Sequence, residues 1–144
     1  MTEKERKKRI TKAKTYPVPY ALEKIKENLT VNTNAPFNPS REQILNQAYK
    51  FESQGNISEA SKYYQVFIDK GFKDARVYLN YGVILEKLGK VKKAFDCYID
   101  LITIDPKFPD FYPTITRFLR DTNLSLLNQS KLKKILNILL ERND

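Results

Sequence analysis

Histidine and tryptophan are both missing from the chain, and cysteine occurs once. Without histidine the commonest general base and the commonest metal ligand are gone. The lone thiol, Cys97, offers neither an internal disulfide nor a zinc ligand set. A reducing compartment is the simpler expectation for it, hence a cytoplasmic location. Its helical register puts it on the polar side or the rim of its helix. Glycine is scarce, and Gly55, Gly71, Gly82 and Gly89 build no phosphate-cradling loop. Long apolar runs are also lacking; Val83-Ile84-Leu85 is typical, so no membrane span is expected. The start carries charge where a secretory leader would be apolar. Carboxylates are scattered, as helix caps and surface charges are. These absences point to a non-enzyme with no catalytic residue, no metal site and no cofactor.

What is present is a repeat. The stretch from Ser40 to Pro106 matches itself at an offset of thirty-four residues. Ala48 lands on Gly82, Phe51 on Leu85 and Gly55 on Gly89. Ala60 lands on Ala94, Tyr64 on Tyr98, and Phe67 on Leu101. A fixed period of this size marks a stack of supersecondary units, none of which can cover its own apolar face alone. The small residues Ala48, Gly82, Ala60 and Ala94 let paired helices approach. Glycine inside a helix costs about 1 kcal/mol, so Gly82 implies a packing reason. The large residues at the seam then contribute roughly 1.5–3 kcal/mol each on burial.

Local signals divide the stretch into helices. Ser40 with Gln43 reads as a capping box opening a helix to about Ser53. Asn56 with Glu59 opens a second, to about Lys70, and Gly71 ends it. Asp74 can cap a third, to about Leu88. The fourth runs from Val91 to Ile104, before Asp105-Pro106. Short loops make neighbours antiparallel. Pro109 to Arg120 opens a degenerate third copy, with Tyr112 in the large place and Thr116 in the small one. Its second half drifts, and Ser130 to Arg142 reads instead as an amphipathic capping helix. On it Ile138 and Leu140 lie off the main apolar face, which offers a candidate dimer or domain contact; the oligomeric state stays open. Before the repeats, residues 1–19 read as a basic tail and 20–39 as a short helix with a linker. The helical domain spans 40–144.

The net charge is +9, and residues 1–40 hold nine Lys or Arg against four acids. The run Lys4 to Lys14 serves either as a solubilising tail or as a weak contact, through residues 1–14, for nucleic acid or an anionic surface. No aromatic residue interleaves with it, so stacking on bases is not indicated.

The period and its residue types resemble the tetratricopeptide repeat. Ile44 and Tyr78 match the family's large fourth place, and Ala48 and Gly82 its small eighth. Ala60 and Ala94 match the alanine at the twentieth. Pro106 matches the proline at the thirty-second, where the first copy has Phe72. The family's usual tryptophan is absent. The resemblance implies an all-α fold, a short right-handed superhelix of helical hairpins, and a protein-interaction scaffold. First helices of successive repeats would line a concave groove for a peptide or a partner helix. Its side chains would be Asn46, Tyr49, Arg76, Asn80, Val83, Lys87, Thr114 and Arg117. Repeat packing would rest on Ala48, Gly82, Ala60, Ala94, Tyr64, Tyr98 and Pro106. The family's clamp for chaperone carboxylates would fall on Leu45, Tyr49, Asn80, Asp110 and Thr114, of which Asn80 alone fits. The stretch from Asn56 to Lys90 is also similar to bacterial chains in which such hairpins precede a glycosyltransferase or sulfotransferase domain. An accessory or trimmed relative of such an enzyme is therefore an alternative.

Overall fold

The computed structural model describes residues 38–142. The chain separates into two units, Met1–Asn38 and Pro39–Asp144, and the described residues fall almost entirely in the second. The basic tail and the helix expected over 20–29 lie outside them. Six α-helices follow one another: α1 (Arg41–Ser53), α2 (Ile57–Asp69), α3 (Ala75–Lys87), α4 (Val91–Ile104), α5 (Phe111–Asp121) and α6 (Gln129–Arg142). A 3-10 turn, Leu124–Leu126, precedes α6. The fold is a tetratricopeptide-like array of helical hairpins, in which α1 packs on α2 and α3 on α4.

The starts of these helices follow from single side chains. Ser40 Oγ accepts from the Gln43 N–H at 3.2 Å, and Gln43 Oε1 accepts from the Ser40 N–H at 2.9 Å. This reciprocal pair satisfies two amide donors that the first turn leaves over. Asn56 Oδ1 takes the Glu59 N–H, and Asp74 Oδ1 the Arg76 N–H. At the other ends, Gly55 and Gly89 turn the chain with φ of 73° each. That left-handed conformation favours glycine, and its recurrence at the repeat spacing makes the two turns alike.

The small residues sit where close approach demands them. Ala48, Ala60 and Ala94 are fully buried. A Cβ on Gly82 would lie 2.5 Å from Tyr98 Cε1, so the tyrosine ring occupies the space a side chain would need. Tyr64, Tyr98, Phe67 and Leu101 are fully buried. Pro106 behaves differently from the seam residues. It is exposed in the turn after α4, and its carbonyl accepts from the Tyr112 hydroxyl at 2.9 Å.

Each first helix has two apolar faces, and they are used unequally. In α3, Val77, Tyr81 and Ile84 are buried toward the preceding hairpin; Tyr81 lies 6.2 Å from the Tyr64 ring and donates its hydroxyl to Gln65 Oε1. Thirty-four residues on, Phe111, Ile115 and Phe118 repeat that face in α5, all buried. Phe118 meets Phe95 and Tyr98 of α4. Thirty-four residues back, the same face of α1 carries Gln43, Gln47 and Lys50. The other face, toward a helix's own partner, is complete in α3 and incomplete in α5. There Tyr112 and Leu119 are half-buried and Thr116 is exposed. So Phe111 is the buried aromatic of the third copy, and not Tyr112, because α5 keeps only the face that stacks on α4. Helix α6 closes the end through buried Leu132 and Ile135. Lys131 pairs with Asp96 of α4 at 2.6 Å, and Arg142 lies 3.5 Å over the Tyr112 ring.

Cys97 departs from its sequence reading. It is buried, at 7% exposure. Second helices bury a wider arc than a simple amphipathic wheel allows, because they touch both their own partner and a neighbouring hairpin. Burial first, then Asp100 and Asp96, push the Cys97 thiol up to about 12.

Candidate functional site

The first helices α1, α3 and α5 carry the residues expected to line a groove. Lateral contacts join several of them. Tyr49 on α1 is 39% exposed and stands edge-on to Tyr64, with ring centroids 6.2 Å apart. Partial burial raises its hydroxyl pKa, Asp74 adds to this, and Arg76 of α3 opposes it. Asn80 of α3 is half-buried and reaches the Tyr64 hydroxyl, whose pKa it lowers against the larger upward effect of burial. Val83 is half-buried on the same helix. Arg117 of α5 grips Glu86 of α3 with two parallel bonds of 2.9 Å each.

Other expected groove residues are less tied in. Asn46, Arg76 and Lys87 are exposed. Thr114 turns its hydroxyl onto the Asp110 carbonyl of its own helix at 2.8 Å. Arg41 pairs with Asp74 at 2.6 Å and bounds the site near Tyr49.

Two glutamates belong to this face that the sequence reading did not single out. Tyr64 donates its hydroxyl to Glu52 Oε2, and Tyr98 donates to Glu86 Oε1. Both pairs span twelve residues, and they are thirty-four apart. That double spacing was a legible signal. Each glutamate reaches from the first helix of a hairpin across to the second, and burial with the facing carboxylate raises both tyrosine pKa values. Arg117 feels the same carboxylate, and the Glu86 hydrogen bond raises its pKa.

A different recess lies between α2 and α4. It has a volume of about 270 Å³ and is lined by Gln65, Tyr78, Tyr81, Cys97 and Asp100, among others. Burial, followed by Asp96, raises the Asp100 carboxyl, while Lys131 opposes. Among the described residues no helix is long and apolar enough to cross a membrane.

The arrangement offers a mixed-polarity face of aromatic, amide and charged side chains on packed helical hairpins. Such a face suits recognition of another chain. No curated protein matches this chain. Residues 75–108, which span α3, α4 and the turn after them, match the family model described as tetratricopeptide repeat. That match covers the central hairpin, and the α1–α2 hairpin packs in the same way, so these two hairpins form a tetratricopeptide-like pair.

Proposed function

We infer that the protein is a non-catalytic scaffold that binds a peptide or a helix on the face lined by α1, α3 and α5. A tetratricopeptide repeat suggests a role in protein–protein interaction. The observation that supports the groove is Tyr49. On the α1–α2 and α3–α4 hairpins it is the exposed large apolar side chain, while Tyr63, Tyr64, Phe67, Phe95 and Tyr98 are buried. Its hydroxyl feels the charge of Arg76, and its ring stands edge-on to Tyr64. Tyrosine presents a rigid apolar ring with a polar tip at small entropic cost, which is what interface anchors need. A cytoplasmic setting fits this reading.

The double variant Asn80→Ala with Arg76→Ala tests it. Both side chains lie on the proposed face, and neither belongs to the buried seam. The expected outcome is loss of the partner with an unchanged circular dichroism spectrum and melting temperature. Retained binding by the folded double variant would remove the groove from the account. Tail binding to nucleic acid or an anionic surface concerns residues 1–14, which lie outside the described residues.

A further inference from the structure

We propose that Glu52 is a seat for an arginine side chain of the bound partner, one that carries a carboxylate beside that arginine. The inference rests on the groove reading and adds the chemistry of its occupant. The molecule itself supplies the template. At the second hairpin, Glu86 accepts the Tyr98 hydroxyl and the two-pronged grip of Arg117 from the next helix. At the first hairpin, Glu52 accepts the Tyr64 hydroxyl in the same way. The place equivalent to Arg117 is held by Val83. Among the described residues no cation lies within ion-pair distance of Glu52. A half-buried carboxylate on the proposed face thus has its tyrosine and lacks its guanidinium.

The surroundings favour that guanidinium over other ligands. A planar fork can take both oxygens of a carboxylate, as Arg117 shows on Glu86, whereas an ammonium makes a point contact. Valine in place of arginine leaves the approach open. Tyr49 offers an exposed ring beside the site, and rings attract guanidinium faces. Asn80 adds a polar group at the Tyr64 hydroxyl. Of the two nearby cations, Arg41 is held by Asp74, and Arg76 forms no ion pair among the described residues. Arg76 would repel a lone cation, so the occupant brings an acid to meet it.

The test uses the isotope-labelled full chain and two small probes, N-acetyl-arginyl-aspartyl amide and its counterpart with citrulline in place of arginine, followed by nuclear magnetic resonance. The arginine probe is expected to shift the backbone signals of residues 49–52, 64 and 80–83, and the citrulline probe to leave them in place. Glu52→Gln keeps an acceptor for the Tyr64 hydroxyl and is expected to abolish the shifts. Val83→Arg supplies the missing guanidinium from within and is expected to do the same. Should Val83→Arg not fold, Glu52→Gln decides alone. Absent shifts at these residues, or shifts that persist in Glu52→Gln, overturn the seat. A peptide selected from a displayed library on the full chain separates the seat from the groove. Binding that falls roughly tenfold or more in Glu52→Gln and is lost in Asn80→Ala with Arg76→Ala supports both. Loss in the double variant alone keeps the groove and removes the seat. Indifference to all of these substitutions, or a library without binders, removes the groove and the seat with it.

Discussion

Gly82 is the residue on which the paired helices most visibly depend. The Tyr98 ring fills the space beside it, and that ring is held by its hydroxyl on Glu86 and by Phe118 at its edge. Gly82→Leu is expected to destabilise by roughly 1–3 kcal/mol or more, since an overfilled contact forces the ring or the helix to move. Chemical denaturation checks this; an unchanged midpoint would contradict the packing. Cys97 gives a second residue-scale expectation. Its thiol is buried and its pKa pushed up to about 12, so alkylation at pH 8 should be slow in the folded chain and fast in denaturant, read by mass spectrometry. The same shift has a stability consequence. The unfolded thiol loses its proton above about pH 8.5, while the folded one holds it until about 12. Tyr81, also pushed up to about 12, and Tyr64 and Tyr98, raised by burial and their glutamates, act in the same direction at higher pH. Their stabilisation is full below the unfolded values and is lost as pH rises toward the folded ones. The melting temperature should therefore be level from neutral pH to about 8.5 and fall from there upward. A level profile to pH 11 would contradict the burial of these groups.

Among the elements, α5 and α6 show how the stack ends. Helix α5 keeps Phe111, Ile115 and Phe118 for α4, but its second face is left with Thr116 exposed. Helix α6 covers what it can with Leu132 and Ile135, while Leu136 and Leu140 stay exposed. Ile135→Ala should cost about 2–5 kcal/mol. Leu140→Ala, at 66% exposure, should change stability by about 0.5 kcal/mol or less. Equal effects in denaturant titrations would mean that α6 packs by another face. The helices themselves were legible in the sequence, since Ser40, Asn56 and Asp74 cap where their side-chain chemistry says they must. The failures came where one residue's fate is set by a neighbouring hairpin. Tyr112 looked like the anchor of α5 because its spacing matched Tyr78, yet burial there follows the face that meets α4. Cys97 was misjudged for the same reason. Arg117 is expected as a groove residue, and what spacing does not show is its partner Glu86, thirty-one residues away across a repeat boundary.

Over the described residues the molecule is a short array whose repeats differ in how far they are satisfied. Its second interface closes with Arg117 on Glu86; its first, among the described residues, leaves Glu52 with a tyrosine alone. That difference, together with the exposed Tyr49 ring, sets the proposed partner face on α1 and α3. Arg117→Ala bears on this division of labour. Its side chain is 41% exposed, so the stability loss should be about 1 kcal/mol or less, and partner binding at the Tyr49 end should persist. The central claim, that this face holds the partner, is tested most directly by site-specific photo-crosslinking. A benzophenone amino acid replaces Tyr49 in one version of the full chain and Ser58, exposed on α2, in another, and each is irradiated with a selected peptide ligand. Covalent capture from position 49 and not from position 58 is the predicted result. Capture from position 58 alone, or equally from both, would contradict it.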